Sequence, residues 1–132
     1  NLAHFGGDWE AMASGKPSPW ADRTMDLLRS YPNCYADVSY HIEALHADPA
    51  VRSVYFRELK RAIASPAGDR VLWGTDYVIL RTRCRHREFR DAFVPPTGGL
   101  DESEFRRISN LNPRRFLFLD VPESVGLDAP DR

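Results

Sequence analysis

Apolar positions along this chain fall into short blocks with two different rhythms, separated by proline, glycine and polar breaks. Val71, Leu72 and Trp73 form a continuous apolar run rather than an alternation. That pattern predicts a strand over Arg70 to Trp73 with both faces buried, as in a parallel sheet. Asn1 to Phe5 reads as the end of another strand, and Cys34 to Ser39 (CYADVS) as a short third one. Between them the rhythm becomes helical. Ser18-Pro19 is an N-cap followed by a first-turn proline, and it opens a helix over about Trp20 to Ser30. Its predicted apolar face uses Trp20, Met25, Leu27 and Leu28, with Pro32 helping to stop it. Asp48-Pro49 repeats the same start signal. The helix after it carries Val51, Val54, Tyr55, Leu59 and Ile63 near a 3.6-residue period and ends at Pro66 and Gly68.

The remainder is more broken. Gly6 to Pro19 is loop-like, Tyr40 to Ala47 is ambiguous and Thr75 to Arg85 is irregular. His86 to Phe93 suits a short helix. Pro95-Pro96 and Gly98-Gly99 form a breaker, after which Asp101 caps a last helix with Phe105, Ile108 and Leu111 on one side. NPRRFLFL, Asn112 to Leu119, restarts a helical turn through Pro113, and the tail from Asp120 is short of apolar residues. No internal repeat or low-complexity segment is present. Strands alternating with helices predict an α/β fold with right-handed crossovers and parallel pairing. A doubly wound sheet and part of a (β/α)8 barrel both satisfy that order, and in both the chemistry gathers at the carboxyl ends of the strands.

Composition narrows the class. With 132 residues, 42% hydrophobic and a formal net charge of -1, the chain fits one ordinary globular domain or a piece of a larger one. No segment approaches the ~20 apolar residues of a membrane helix, and near-zero charge gives no case for nucleic acid. Neither a secretory leader nor a disulfide framework is visible: Cys34 and Cys84 read as free thiols, so a cytoplasmic setting is expected. Because Asn1 lies at or inside a strand, the chain is expected to begin in the middle of a domain. Sixteen of the eighteen basic residues are Arg. Arg suits bidentate contact with carboxylates, although a high-GC source explains the bias more simply.

The strand ends carry the candidate chemistry. His4 ends the first strand, Asp37, Ser39, Tyr40 and His41 lie near the end of the second, and Asp76 ends the third. His and Asp are ligands for a divalent metal such as zinc and are also acid–base groups. Glycines after His4 and before Asp76 allow backbone to approach a ligand closely. Each residue also has a plainer reading. His4 alone would be a satisfied core histidine, Asp76 alone a turn carboxylate, and Asp37 a partner for neighbouring backbone. His41 and His46, five apart, suit no helical metal pair and read as surface or outer-layer groups. Trp9 and Trp20 read as packing residues, and the Arg81 to Arg90 run as a solvated segment.

Taken in order, NLAHFGG, CYADVS, RVLWGTDY and NPRRFLF resemble the C-terminal part of the amidohydrolase-2 family of metal-dependent hydrolases, which includes aminocarboxymuconate semialdehyde decarboxylase and related benzoate decarboxylases. The resemblance spans roughly Asn1 to Leu119, leaving 120–132 as a C-terminal tail. It implies a partial (β/α)8 TIM barrel, with NLAHF, CYADVS and RVLWG as strands six, seven and eight. By the same resemblance His4 and Asp76 are the metal-binding and catalytic residues. His4 matches the sixth-strand histidine that works beside the metal, and Asp76 the eighth-strand aspartate that binds it and shuttles a proton. Asn112-Pro113 matches the start of the closing helix, a structural role.

The family's H-x-H ligands on the first strand and a further ligand on the fifth have no counterpart here, and Val78 stands where a proline often follows GTDY. The 132-residue chain alone is therefore expected to be inactive and to need the N-terminal half of the barrel. The expectation is a hydrolase using a metal-activated water, with Zn2+ as the implied cofactor, on a small carboxylate, lactone or amide substrate. For an acidic substrate, an Arg from the 81 to 90 run is a candidate clamp. The alternatives are a non-oxidative decarboxylase, an inactive barrel with a binding role, or a flavodoxin-like module in which His4 and Asp76 are incidental. Small molecules are the expected partners, with no nucleic acid or membrane, and homo-oligomerisation is left open.

Overall fold

A computed structural model describes residues 1–6, 18–39, 41–42 and 46–119. Three extended segments lie side by side in parallel. Strand β1 (Ala36–Asp37) pairs with β2 (Val71–Leu72) in the register Ala36–Val71 and Asp37–Leu72. Leu2 forms a parallel bridge to Ala36 on the other side. The Leu2 amide donates to the Tyr35 carbonyl at 2.7 Å, and the Asp37 amide to the Leu2 carbonyl at 3.0 Å. All three segments thus run in one direction, as the uninterrupted apolar run at Val71 implies. The strands are shorter than the sequence suggests. Asn1 to Phe5 yields one bridging residue and then a tight turn, Ala3–Gly6.

Helices cover this layer. Helix α1 (Pro19–Ser30) starts where Ser18 accepts a hydrogen bond from the Ala21 amide through its side chain. Its buried face is Ala21, Thr24, Met25 and Leu28, not the face containing Trp20 and Leu27, which are 65% and 41% exposed. The i, i+3, i+4, i+7 spacing of the small and medium residues turns one face to the core, beside the Ala3–Gly6 turn. Two bulky residues at positions 20 and 27 share a neighbouring face and stay outside, so Trp20 is not a packing residue. Helix α2 (Pro49–Ala64) is capped by Asp48 through the Ala50 amide. It buries Tyr55, Phe56, Leu59, Ala62 and Ile63, while Val51 and Val54 are only half-buried.

Beyond β2, the segment read as irregular contains one helical turn, α3 (Tyr77–Leu80), and α4 (His86–Asp91) follows. Helix α5 (Glu102–Arg106) is closed by a capping box between Asp101 and Glu104. A π-helical turn, Arg107–Leu111, joins it to α6 (Asn112–Phe116). Ile108 is buried, Phe105 partly so, and Leu111 is exposed because the wide turn rotates it away from the core. The tail from Asp120, and Trp9 and Tyr40, lie outside the described residues.

Proline chemistry explains how this last unit docks. In a π-helical turn the carbonyl of Ile108 faces the amide five residues on, which is Pro113 and has no N–H. The released carbonyl instead accepts the Trp73 amide at 2.8 Å, on the edge of β2 turned away from β1. Asn112, 3% exposed, donates both hydrogens of its side-chain amide, to the Gly68 carbonyl at 2.9 Å and the Val71 carbonyl at 2.7 Å. Gly68 is required there, since a Cβ would sit 1.9 Å from the Ile63 carbonyl oxygen. Replacing Asn112 by Asp would set a carboxylate against two buried carbonyls and remove both donors. Asn112→Asp is expected to destabilise the intact protein by about 3 kcal/mol or more, and Asn112→Ala by roughly 2 kcal/mol, both read from denaturant midpoints.

Candidate functional site

Parallel pairing places the residues that follow Leu2, β1 and β2 at one end of the layer. There the Asp37 carboxylate gathers the first two segments. It accepts from the Asn1 side-chain amide, from the His4 backbone amide at 3.3 Å, and from both the amide (2.9 Å) and hydroxyl of Ser39. Burial alone would push this carboxyl's pKa up. The bonds from the Ser39 side chain and backbone, Asn1 and His4 more than reverse that and hold it below the ordinary 3.8. Asp37 is therefore an ionised anchor for the turn that carries His4.

That turn is unusual. His4 (φ 62°, ψ 13°) and Phe5 (φ 47°, ψ 33°) both occupy the left-handed region, which costs non-glycine residues on the order of 1–3 kcal/mol each. Burial of Phe5 in the core and the bonds to His4 offset this cost. His4 itself is exposed. Its Nδ1 lies 2.9 Å from the Ser39 carbonyl and 3.2 Å from the Ser39 hydroxyl oxygen. A carbonyl only accepts, and the Ser39 hydroxyl already donates to Asp37, so Nδ1 carries a proton. This is how a metal-binding or basic imidazole is oriented.

Of the two readings its spacing from His46 left, surface or outer-layer group, His41 takes the second. It is 4% exposed, with Nε2 2.7 Å from the His4 carbonyl and Nδ1 2.8 Å from the Tyr55 hydroxyl. Burial drives its pKa down to about 4, against partial support from the His4 carbonyl and the Asp37 charge. His41 is thus neutral, donating through Nε2 and accepting the Tyr55 hydroxyl at Nδ1. His46 is exposed.

Asp76 follows β2, half-buried and left-handed (φ 50°, ψ 54°), at the start of α3. Its carboxylate does not cap that helix. Close approach comes two residues earlier. A Cβ at Gly74 would lie 3.2 Å from Ser39 Cβ and 3.8 Å from Asp37 Cβ, so glycine lets the third strand end close against the Asp37–Ser39 corner. After Asp76 the Arg81, Arg83, Arg85, Arg87 and Arg90 side chains are exposed, and Arg87 and Arg90 pair with Asp91. An open cleft of about 420 Å3 is walled by Tyr77, Arg81, Arg83, Arg85 and Glu88. Cys34 and Cys84 are free thiols.

The model of the amidohydrolase family matches residues 1–119, from the segment bearing His4 through the closing helix. This chain belongs to the amidohydrolase family. No curated protein and no solved structure matches it. Amidohydrolases are (β/α)8-barrel proteins of a hydrolase and decarboxylase superfamily that generally use divalent metals. The donor types at the strand ends, imidazole and carboxylate, suit such an ion, but the number does not. Among the described residues no group of three or more His, Cys, Asp and Glu is arranged to hold a metal, and zinc sites take at least three protein ligands. A metal at this amidohydrolase site would need ligands beyond those described. Nor, among the described residues, is any helix long and apolar enough to cross a membrane.

Asp37 and His41 carry more of this site than their sequence context showed. The signal in the sequence was their place beside Ser39 at a strand end, but no local spacing revealed their bonds to a turn more than thirty residues away. The His41 environment has a pH signature. A folded-state pKa near 4 against an ordinary 6.5 means the native state binds fewer protons than the unfolded one. Its stabilisation is therefore complete above pH 6.5 and is lost as pH falls from 6.5 toward 4, by roughly 3 kcal/mol in all. Asp37, also depressed, adds a loss only below 3.8. Unfolding free energy of the intact protein, measured from pH 8 to 4.5, is expected to be flat and then to fall below 6.5. His41→Gln is expected to remove that fall.

Proposed function

We propose that this amidohydrolase is a metal-dependent hydrolase acting on a small carboxylate, lactone or amide, with residues 1–119 forming the C-terminal part of its barrel and strands six to eight. The observation that supports this reading is the parallel layer, which sets His4, the Asp37–Ser39 corner and Asp76 beyond the ends of three strands running the same way. Function in such barrels resides on that face. In this reading His4 and Asp76 supply two ligands of a divalent metal, zinc by its preference for nitrogen and oxygen donors, and the remaining ligands come from outside the described residues. When bound, such an ion lowers the pKa of its water and polarises a substrate carbonyl.

The chain's own contributions are positional and acid–base. The Nδ1–H of His4 is committed to Ser39, so in this reading Nε2 is the nitrogen that binds the metal or orients a proton. Asp76, whose carboxylate has no internal partner among the described residues, is the group available to accept a proton from an attacking water and pass it to the leaving group. For an acidic substrate, Arg81 and Arg83 beside the cleft after Asp76 offer guanidinium partners for its carboxylate.

Metal content and turnover of the intact protein test this. With Asp76→Asn, metal occupancy is expected to fall and hydrolysis of a panel of lactones, amides and carboxylates to drop about a hundredfold or more. Full activity in Asp76→Asn, or a metal bound without contact to Asp76, would overturn the assignment. Carbon dioxide as the product would replace hydrolysis with decarboxylation.

A further inference from the structure

Neither acid–base nor ligand chemistry accounts for the buried pair His41 and Tyr55. Tyr55 sits in the second turn of α2, among Phe56, Phe93 and the His41 ring. Its hydroxyl donates to His41 Nδ1, and His41 Nε2 donates to the backbone carbonyl of His4. That carbonyl belongs to a residue in the left-handed region, which non-glycine backbone leaves unless both sides of it are held. Asp37 holds the His4 amide, and His41 holds the carbonyl. With both in place, the His4 Nδ1 lies 2.9 Å from the Ser39 carbonyl.

We propose that His41 and Tyr55 are positioning residues: through the His4 carbonyl they fix the backbone turn that sets the orientation and tautomer of the His4 imidazole. The inference deepens the reading of His4 as a site residue and rests on it for its functional meaning. The orientation itself involves only this chain's own groups. Tyr55 therefore couples helix α2 to the candidate site by one chain of two hydrogen bonds. His41 has to be neutral and of one tautomer for the chain to work, because the His4 carbonyl can only accept and Nδ1 must accept from Tyr55.

The test is histidine-selective 15N NMR of the intact, metal-free protein near pH 7.5, with resonances assigned by single-site variants. The expected wild-type pattern is His4 as the Nδ1–H tautomer and His41 as the Nε2–H tautomer. In His41→Leu, which keeps the volume and loses the donor, the His4 Nδ1–H to Nε2–H ratio is expected to fall about fivefold. In His41→Gln, whose side-chain amide reaches the same carbonyl, the ratio is expected to return toward wild type. Tyr55→Phe serves where His41→Leu does not fold: both the His41 and the His4 ratios should shift. His4 found as Nε2–H in the wild type, or unchanged in folded His41→Leu, would overturn the proposal. So would a Tyr55→Phe protein in which His41 changes and His4 does not. Zinc is added last. If the tautomers behave as expected but zinc leaves His4 Nε2 unmoved, the positioning stands and the metal role of His4 falls.

Discussion

One ionised, buried carboxylate organises the end of this molecule where chemistry is expected. Asp37 sits at the close of β1 and draws the Asn1 side chain, the His4 amide and the whole of Ser39 toward itself. A carboxylate removed from water is stable only when hydrogen bonds replace its hydration, and here the replacements come from two separate strand ends. The consequence is mutual. Asp37 stays charged because the turn at His4 wraps it, and that turn keeps its left-handed backbone because Asp37 accepts the amide. The Ser39 hydroxyl, donating to Asp37, turns its lone pair to His4 and so selects which imidazole nitrogen is protonated.

A second constraint holds the other side of the layer. Pro113 cannot donate a backbone hydrogen bond, and the π-helical turn before it releases the Ile108 carbonyl to the Trp73 amide. Asn112 next to it satisfies the Gly68 and Val71 carbonyls around the start of β2. The NPRRF stretch is thus a hydrogen-bonding device: one residue unable to donate beside one that donates twice. Through it the closing helix fixes β2, and β2 in turn carries Gly74 to the corner made by Asp37 and Ser39.

Helix starts were the most legible features of the fold. Ser18-Pro19 and Asp48-Pro49 open α1 and α2 where their capping chemistry predicts, and Asp101 opens α5. These signals are local: a side-chain oxygen meets an amide two or three residues away. Faces were less legible. Trp20 and Leu27 looked like core residues of α1, yet the core accepts the flatter face with Ala21 and Thr24. Strand lengths were overestimated, since apolar content marks burial and says nothing about where a partner strand ends.

The sequence by itself determined the family, the order of strand and helix, and the residue types gathered near the strand ends. Those follow from local capping, from hydrophobic period and from four motifs in a set order. Only the tertiary structure decided how these residues are employed. His41 looked peripheral, and its burial between Tyr55 and the His4 carbonyl exists only once α2 packs on the layer. Asp37 looked like a local turn residue, and it became an anchor because the Leu2–Ala36 bridge brings Asn1 and His4 alongside it. Hydrogen bonds between residues more than thirty positions apart depend on register and packing direction, and no local spacing in the chain encodes either.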